Sequence, residues 1–186
     1  MCDSTSGLGA GPGGRPLRGR EAPHAAQEGC RCIPYINHPL ALANILVSEG
    51  DVDDPEVLVA ALLHDTVEDT DTTVEELERA FGSRVAGIVA EVTDDKSLAK
   101  EERKRLQVAR AAHKSNAAKL VKLADKISNL RDIATSPPAD WPLQRREDYF
   151  HWAKQVVDAL RGANPRLEAA FDRAYSDGLA SMRGAA

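Results

Sequence analysis

From residue 33 onward, apolar residues recur every three or four positions, the spacing of amphipathic helices. Leu42, Ile45 and Leu46 follow Pro39 and give way at Gly50, which predicts a helix opened by the proline and closed by the glycine. Asp54-Pro55 reads as an N-cap and first helical residue launching Val57, Leu58, Ala61 and Leu62. Thr72 with Glu75 reads as a capping box for a short helix ended by Gly82, and Ser83 as the cap of the next, through Val85, Ile88, Val89 and Val92. A charged helix is expected at about 101–112. A more apolar one is expected at about 117–134, with Leu120, Leu123, Ala124, Ile127, Leu130 and Ala134 on one side and Pro137-Pro138 as its stop. A long helix at about 143–161 ends at Gly162, and a last one begins at Pro165. No useful stretch alternates with period two and no solenoid repeat is visible, so the predicted fold class is all-α.

Residues 1–32 lack this pattern and hold seven of the thirteen glycines. They are read as a disordered or atypical N-terminal segment ahead of one domain at 33–186. They carry no continuous apolar stretch of a secretory signal, and Cys2 rules out N-myristoylation. Arg15, Arg18 and Arg20 suit a transit peptide, whereas Asp3, Glu21 and Glu28 oppose one. All three cysteines fall in this segment, which fits a reducing compartment and a cytoplasmic location. The apolar runs around 40–47 and 57–63 are far shorter than the roughly 20 residues of a membrane span, so no membrane association is expected.

The formal charge is −5 over 186 residues, and residues 33–186 alone carry −6. That balance argues against a nucleic-acid partner held by a general positive field, so an anionic ligand must be met locally. The densest chemistry lies in His64-Asp65-Thr66-Val67-Glu68-Asp69-Thr70. On a continuous helix His64 would lie over Glu68 and Asp65 over Asp69. Four ionisable groups so placed repel one another unless a cation joins them; the plain alternative is a solvated acidic helix end. Asp125, with Asn129 one turn later, and His38, directly before Pro39, add a second carboxylate and a second imidazole. Together His38, His64, Asp65 and Asp125 suit a divalent ion such as Mn²⁺, with Mg²⁺, Fe²⁺ or Zn²⁺ also open.

The order His38, His64-Asp65, Asp125 resembles the signature of HD-domain metal phosphohydrolases. Within them, Pro34-Tyr35-Ile36-Asn37-His38-Pro39, the 64–70 segment, and Lys122-Leu123-Ala124-Asp125-Lys126 followed by Asn129-Leu130-Arg131 are similar to the hydrolase domain of RelA/SpoT proteins. The small size matches their free-standing metazoan branch. The resemblance implies an all-helical HD fold that hydrolyses (p)ppGpp at the 3′ position with Mn²⁺ favoured, and for the metazoan branch a second activity on the 2′-phosphate of NADPH. It implies His38, His64, Asp65 and Asp125 as metal ligands and Glu68 and Asp69 as catalytic carboxylates. For the substrate it implies Lys100, Arg145 and Tyr149, with Asn129 facing either the substrate or the metal shell; Tyr35 either stacks on base or sugar or is a core aromatic. The basic group Lys96, Lys100, Arg103 and Lys104 is the local positive field such a substrate needs, unless Glu101 and Glu102 make it an ordinary solvated face.

Family members enter the Pro-Tyr-x-x-His-Pro motif from a first helix and a basic loop, where this chain has Gln27-Glu28-Gly29-Cys30-Arg31-Cys32. The expected consequences are apolar side chains left uncovered and a nucleotide cradle with Arg31 as its one nearby cation. This sustains a rival reading, an HD-fold nucleotide-binding protein that is catalytically impaired, beside a third, another HD-domain nucleotidase.

Overall fold

The computed structural model describes Ile36–Gly184, and the readings for 1–32 and Tyr35 lie outside those residues. Among the described residues the all-α expectation is met, with helices and turns and no strand. The elements are α1 (Asn37–Ser48), α2 (Pro55–Leu63), α3 (Thr66–Asp69), α4 (Val74–Phe81), α5 (Ser83–Val92), α6 (Lys100–Ala111), α7 (Asn116–Thr135), α8 (Leu143–Asp158) and α9 (Pro165–Gly184).

Local sequence accounts for most boundaries. Asp54 caps α2 by accepting from the Glu56 N–H at 3.1 Å, with Pro55 in the first turn. Arg84 on α5 then closes on the Asp54 and Glu56 carboxylates and ties the two helix starts together. Two expected caps shift by one residue. The capping box is Thr73 with Glu76, because Thr72 is already turned toward Thr70, whose Oγ1 accepts its N–H at 3.1 Å. Ser83 is the first residue of α5, not its cap; that place falls to Gly82, whose φ of 90° suits glycine.

Helix α7 is the centre of the domain and packs against α1, α2, α5, α8 and α9. It is buried nearly all round, as a core helix must be, yet it brings Lys122, Asp125, Lys126 and Ser128 inside with Leu123, Ala124, Ile127 and Leu130. Buried ionised groups cost several kcal/mol unless paired, so their presence on the central helix marks a polar cluster that the fold is built around. Helix α9 covers the far side of α7, and Gly178 meets Phe150 of α8 so closely that a Cβ there would lie 2.4 Å from the ring. On the outer face of α1, Ile36, Leu40 and Val47 stand exposed as an apolar stripe.

Candidate active site

The helix from Asp54 does not continue through the acidic motif. It ends at Leu63; His64 and Asp65 form a turn, and Thr66–Asp69 is a separate single turn. The expectation that His64 lies over Glu68 on one helix face therefore fails. Breaking the helix lets the His64 ring turn inward, and Nδ1 is 2.8 Å from the Ala61 carbonyl, to which it can only donate. That bond places the proton on Nδ1 and leaves Nε2 as a lone pair. Nε2 is buried and lies 3.0 Å from Asp65 Oδ1 with no donor hydrogen bond of its own.

One such donor pair faces a second imidazole. The His38 ring centre is 5.3 Å from that of His64, and ligand atoms of His38, His64 and Asp65 all lie within 4.8 Å of one another. His38 Nδ1 is 3.4 Å from Ser128 Oγ, and its Nε2 is 3.5 Å from Asp125 Oδ1. Two helices, α1 and α7, and the turn after α2 thus bring together all four predicted ligands: three as a tight cluster, Asp125 beside it through His38. Two imidazole nitrogens and two carboxylates converging with an orphaned buried nitrogen fit a divalent cation. Burial works against charge on His64, but Asp65 and Asp125 outweigh it and raise its pKa. Burial likewise opposes ionisation of Asp65, which His64 more than offsets.

Asp125 is the best-held member. Burial alone would raise its pKa, but Lys126, His38, Lys122 and His64 hold it well below the usual carboxylate range. Lys126 Nζ donates to Oδ2 at 2.9 Å and Asn129 Nδ2 to Oδ1 at 2.6 Å. Asn129 therefore faces the Asp125 carboxylate, one of the two directions its position allowed.

Glu68 has its partners outside the cluster. The Asp94 N–H donates to its Oε2 at 3.4 Å, and Arg103 Nη1 lies 3.6 Å from Oε1. Burial, with Asp94 and Asp65 nearby, raises its pKa despite the Asp94 N–H and Lys96. Asp69 pairs with Lys96. The expected basic group is thus divided: Lys96 and Arg103 attend the two acids, while Lys100 and Lys104 line an adjoining cleft.

That cleft, about 690 Å³, lies between α6 and α8 and holds Lys100, Arg145 and Tyr149 together, as expected. Arg145 lies over Trp141 at 4.4 Å and Tyr149 is 5.3 Å from Trp152, whose ring has Lys126 Nζ at 4.6 Å and Lys104 Nζ at 5.3 Å. Burial pushes the Tyr149 phenol up to about 12, so it stays a neutral donor. Trp141 and Trp152 were not anticipated, although the spacing Trp141, Arg145, Tyr149, Trp152 was a readable stripe. Asp94 and Gln107, also on the cleft wall, carried no sequence signal. His151 Nδ1 is 3.0 Å from the Tyr175 hydroxyl.

Comparison with known proteins bears on this geometry. The HD-domain family model matches residues 20–149. Guanosine-3′,5′-bis(diphosphate) 3′-pyrophosphohydrolase MESH1 of Danio rerio is 58% identical over 149 residues, 80% of this chain and 81% of that protein. The chain belongs to the HD-domain family, in its MESH1 group. MESH1 of Homo sapiens is 56% identical over 142 residues, spanning 76% of this chain and 79% of its own. A solved structure of a metazoan orthologue of SpoT, described as hydrolysing ppGpp and acting in starvation responses, superposes with a TM-score of 0.75 at 53% identity, covering 77% of this chain and 81% of that one. The HD-domain fold is shared more distantly by lmo0812 of Listeria monocytogenes EGD-e, with a TM-score of 0.63 and 32% identity over 78% of this chain and 97% of that one. As an HD-domain hydrolase, the chain has in His38, His64 and Asp65 a candidate divalent-metal site.

Proposed function

We propose that this HD-domain protein is a metal-dependent hydrolase of guanosine 3′,5′-bis(diphosphate), cleaving the 3′ position to give GDP and pyrophosphate. The observation that carries the reading is the placement of Glu68. Its two partners, Asp94 and Arg103, line the cleft, while the charge of Asp65 in the His–Asp cluster is felt by its carboxyl. A base is thus set between a cation site and a nucleotide-sized hollow. The naming of the MESH1 relatives supports the same substrate.

His38, His64, Asp65 and Asp125 would hold the ion, which we assign as Mn²⁺. When bound it would supply Lewis-acid polarisation of a phosphate oxygen and acidify water. Glu68 accepts the proton of the attacking water, and a carboxyl whose pKa is raised toward neutrality is a stronger base than an exposed one. Water oxygen adds to the phosphorus carried on the 3′ oxygen, the bond to that oxygen breaks, and the proton on Glu68 is available to the departing 3′ oxygen. Asp69, paired with Lys96, is the second acid at this edge. Asn129 orients Asp125; Lys100 and Arg145 meet the phosphates, and Tyr149 and Trp141 offer stacking faces for the base. Tyr35 is assigned to the same base or sugar. We place the protein in the cytoplasm, acting on a small nucleotide. Among the described residues no helix is long and apolar enough to cross a membrane.

Purified protein with Mn²⁺ is expected to release pyrophosphate from ppGpp, and Glu68→Gln to lower the rate by about 10²–10⁴-fold. Equal rates for the two proteins would overturn the assignment of Glu68. Binding of ppGpp by calorimetry with no turnover would support the impaired-binder reading instead. Because ring stacking on Tyr149 and Trp141 is tolerant of base identity, we place NADPH 2′-phosphate hydrolysis second, tested by phosphate release under the same metal.

A further inference from the structure

Glu68 stands on α3, a four-residue turn with no buried residue and no side-chain cap. Such a turn has little packing to fix the direction of a carboxylate. Both Glu68 oxygens nevertheless have a partner traceable to one longer helix, α6. Arg103 of α6 reaches Oε1 directly, with Nη1 3.6 Å away. Oε2 accepts from the Asp94 N–H at 3.4 Å, and the Asp94 side chain is in turn held by Gln107, whose Nε2 donates to Oδ2. Arg103 and Gln107 are four residues apart and so share a face of α6. That face is the wall between the large cleft and a smaller cavity of about 260 Å³, both lined by Asp94, Arg103 and Gln107. The α6 side is anchored independently, because Trp152 Nε1 donates to the Lys104 carbonyl at 3.2 Å from α8.

We propose that Gln107, acting through Asp94, and Arg103 are positioning residues that clamp the Glu68 carboxylate from α6 and set the angle at which it meets the attacking water. The inference rests on the reading of Glu68 as the base. Gln107 touches neither the His–Asp cluster nor Glu68, so its effect reaches the chemistry through the direction of one carboxylate. A misplacement of about 1 Å at a reacting group can cost on the order of a hundredfold, so releasing one of two holds is expected to cost about tenfold.

The test measures kcat and KM for ppGpp with Mn²⁺. Gln107→Leu and Gln107→Glu are expected to lower kcat about tenfold with KM within about twofold of the parent. In the double variant D94N/Q107E the amide and the carboxylate change places, so the same hydrogen bond runs the other way and most of the rate should return. That swap carries the test if Gln107→Leu folds poorly. In a Glu68→Gln background neither Gln107→Leu nor Arg103→Met should slow the residual reaction further, since there is no longer a base to aim. Arg105→Ala, on the same helix but paired outward with Glu102, should leave the parent rate unchanged. A raised KM with unchanged kcat, no recovery in the swap, or additive losses in the Glu68→Gln background would each overturn the clamp. Full activity of Glu68→Gln would sink the clamp and the base assignment together, whereas an inactive Glu68→Gln beside a fully active Gln107→Leu would sink the clamp alone.

Discussion

The corner formed by His38, His64, Asp65 and Asp125 and the cleft between α6 and α8 adjoin one another but are built on opposite terms. In the corner the central charges are buried among named partners, with His38 and Asp65 half-buried at its edge: Asp125 is 8% exposed and both its oxygens accept hydrogen bonds. In the cleft the ionic side chains are partly or wholly solvated; Arg145 keeps 43% of its side-chain surface, and its ion pair with Asp140 spans 3.6 Å. Buried charge leaves no alternative arrangement once its partners are set, whereas a solvated cation can be redirected at little cost. The corner can therefore hold an ion to a fixed geometry, and the cleft can adjust to a substrate.

The sharpest way to break that contrast is to cut into the corner. Asp125→Ala leaves Lys126 buried without its carboxylate and is expected to destabilise the fold by about 3–5 kcal/mol in urea unfolding, with loss of ppGpp hydrolysis. If it unfolds at the parent midpoint, the buried pairing of Asp125 and Lys126 does not hold the corner together. Adding Mn²⁺ at about a hundredfold over its dissociation constant should stabilise the parent by about 2.7 kcal/mol in thermal melts, and chelation should reverse the shift. His64→Ala should abolish that response.

In the cleft the effects should be smaller and of another kind. Tyr149→Ala is expected to raise KM for ppGpp roughly tenfold or more, corresponding to about 1–3 kcal/mol of stacking, with kcat changed less. A fall in kcat with unchanged KM would show that this wall belongs to the chemistry. The smallest effect lies outside both regions, at the half-exposed pair where Arg131 of α7 donates to both Glu49 oxygens at 2.6 and 2.9 Å. Glu49→Gln should cost about 0.5–1 kcal/mol at pH 7. The hydrogen bonds from Arg131 lower the Glu49 pKa, so folding binds fewer protons there than the unfolded chain. Its contribution is present above about pH 4.3 and fades as the pH falls through the lower folded value, so parent and variant should converge in stability below about pH 4.

What the sequence made legible divides along the same line. A helix with an apolar stripe and a clear stop could be read almost to its ends, as for α7. Asp125 was visible only in company: alone it reads as a surface acid beside a lysine, whereas with His38 and His64-Asp65 it completes a ligand set. The break after Leu63 was not visible, because Thr66–Asp69 continues the helical spacing and only the inward demand of the His64 ring interrupts it. The capping box slipped by one residue because two threonines offered equal chemistry and the Thr70 turn decided between them. Asp94 and Gln107 were out of reach: thirteen residues separate them, and a lone Asp and a lone Gln on charged segments look like solvated surface.

The chain has two tryptophans, and both stand on the cleft wall, one beneath Arg145 and the other between the ammonium groups of Lys104 and Lys126. Lys126 is also the partner of Asp125. Tryptophan emission from this protein therefore comes from the cleft wall alone, and one of its two sources sits a single side chain away from the Asp125 carboxylate. Titrations of nucleotide and of metal can be followed optically, without a label, and read as two signals from the same ring.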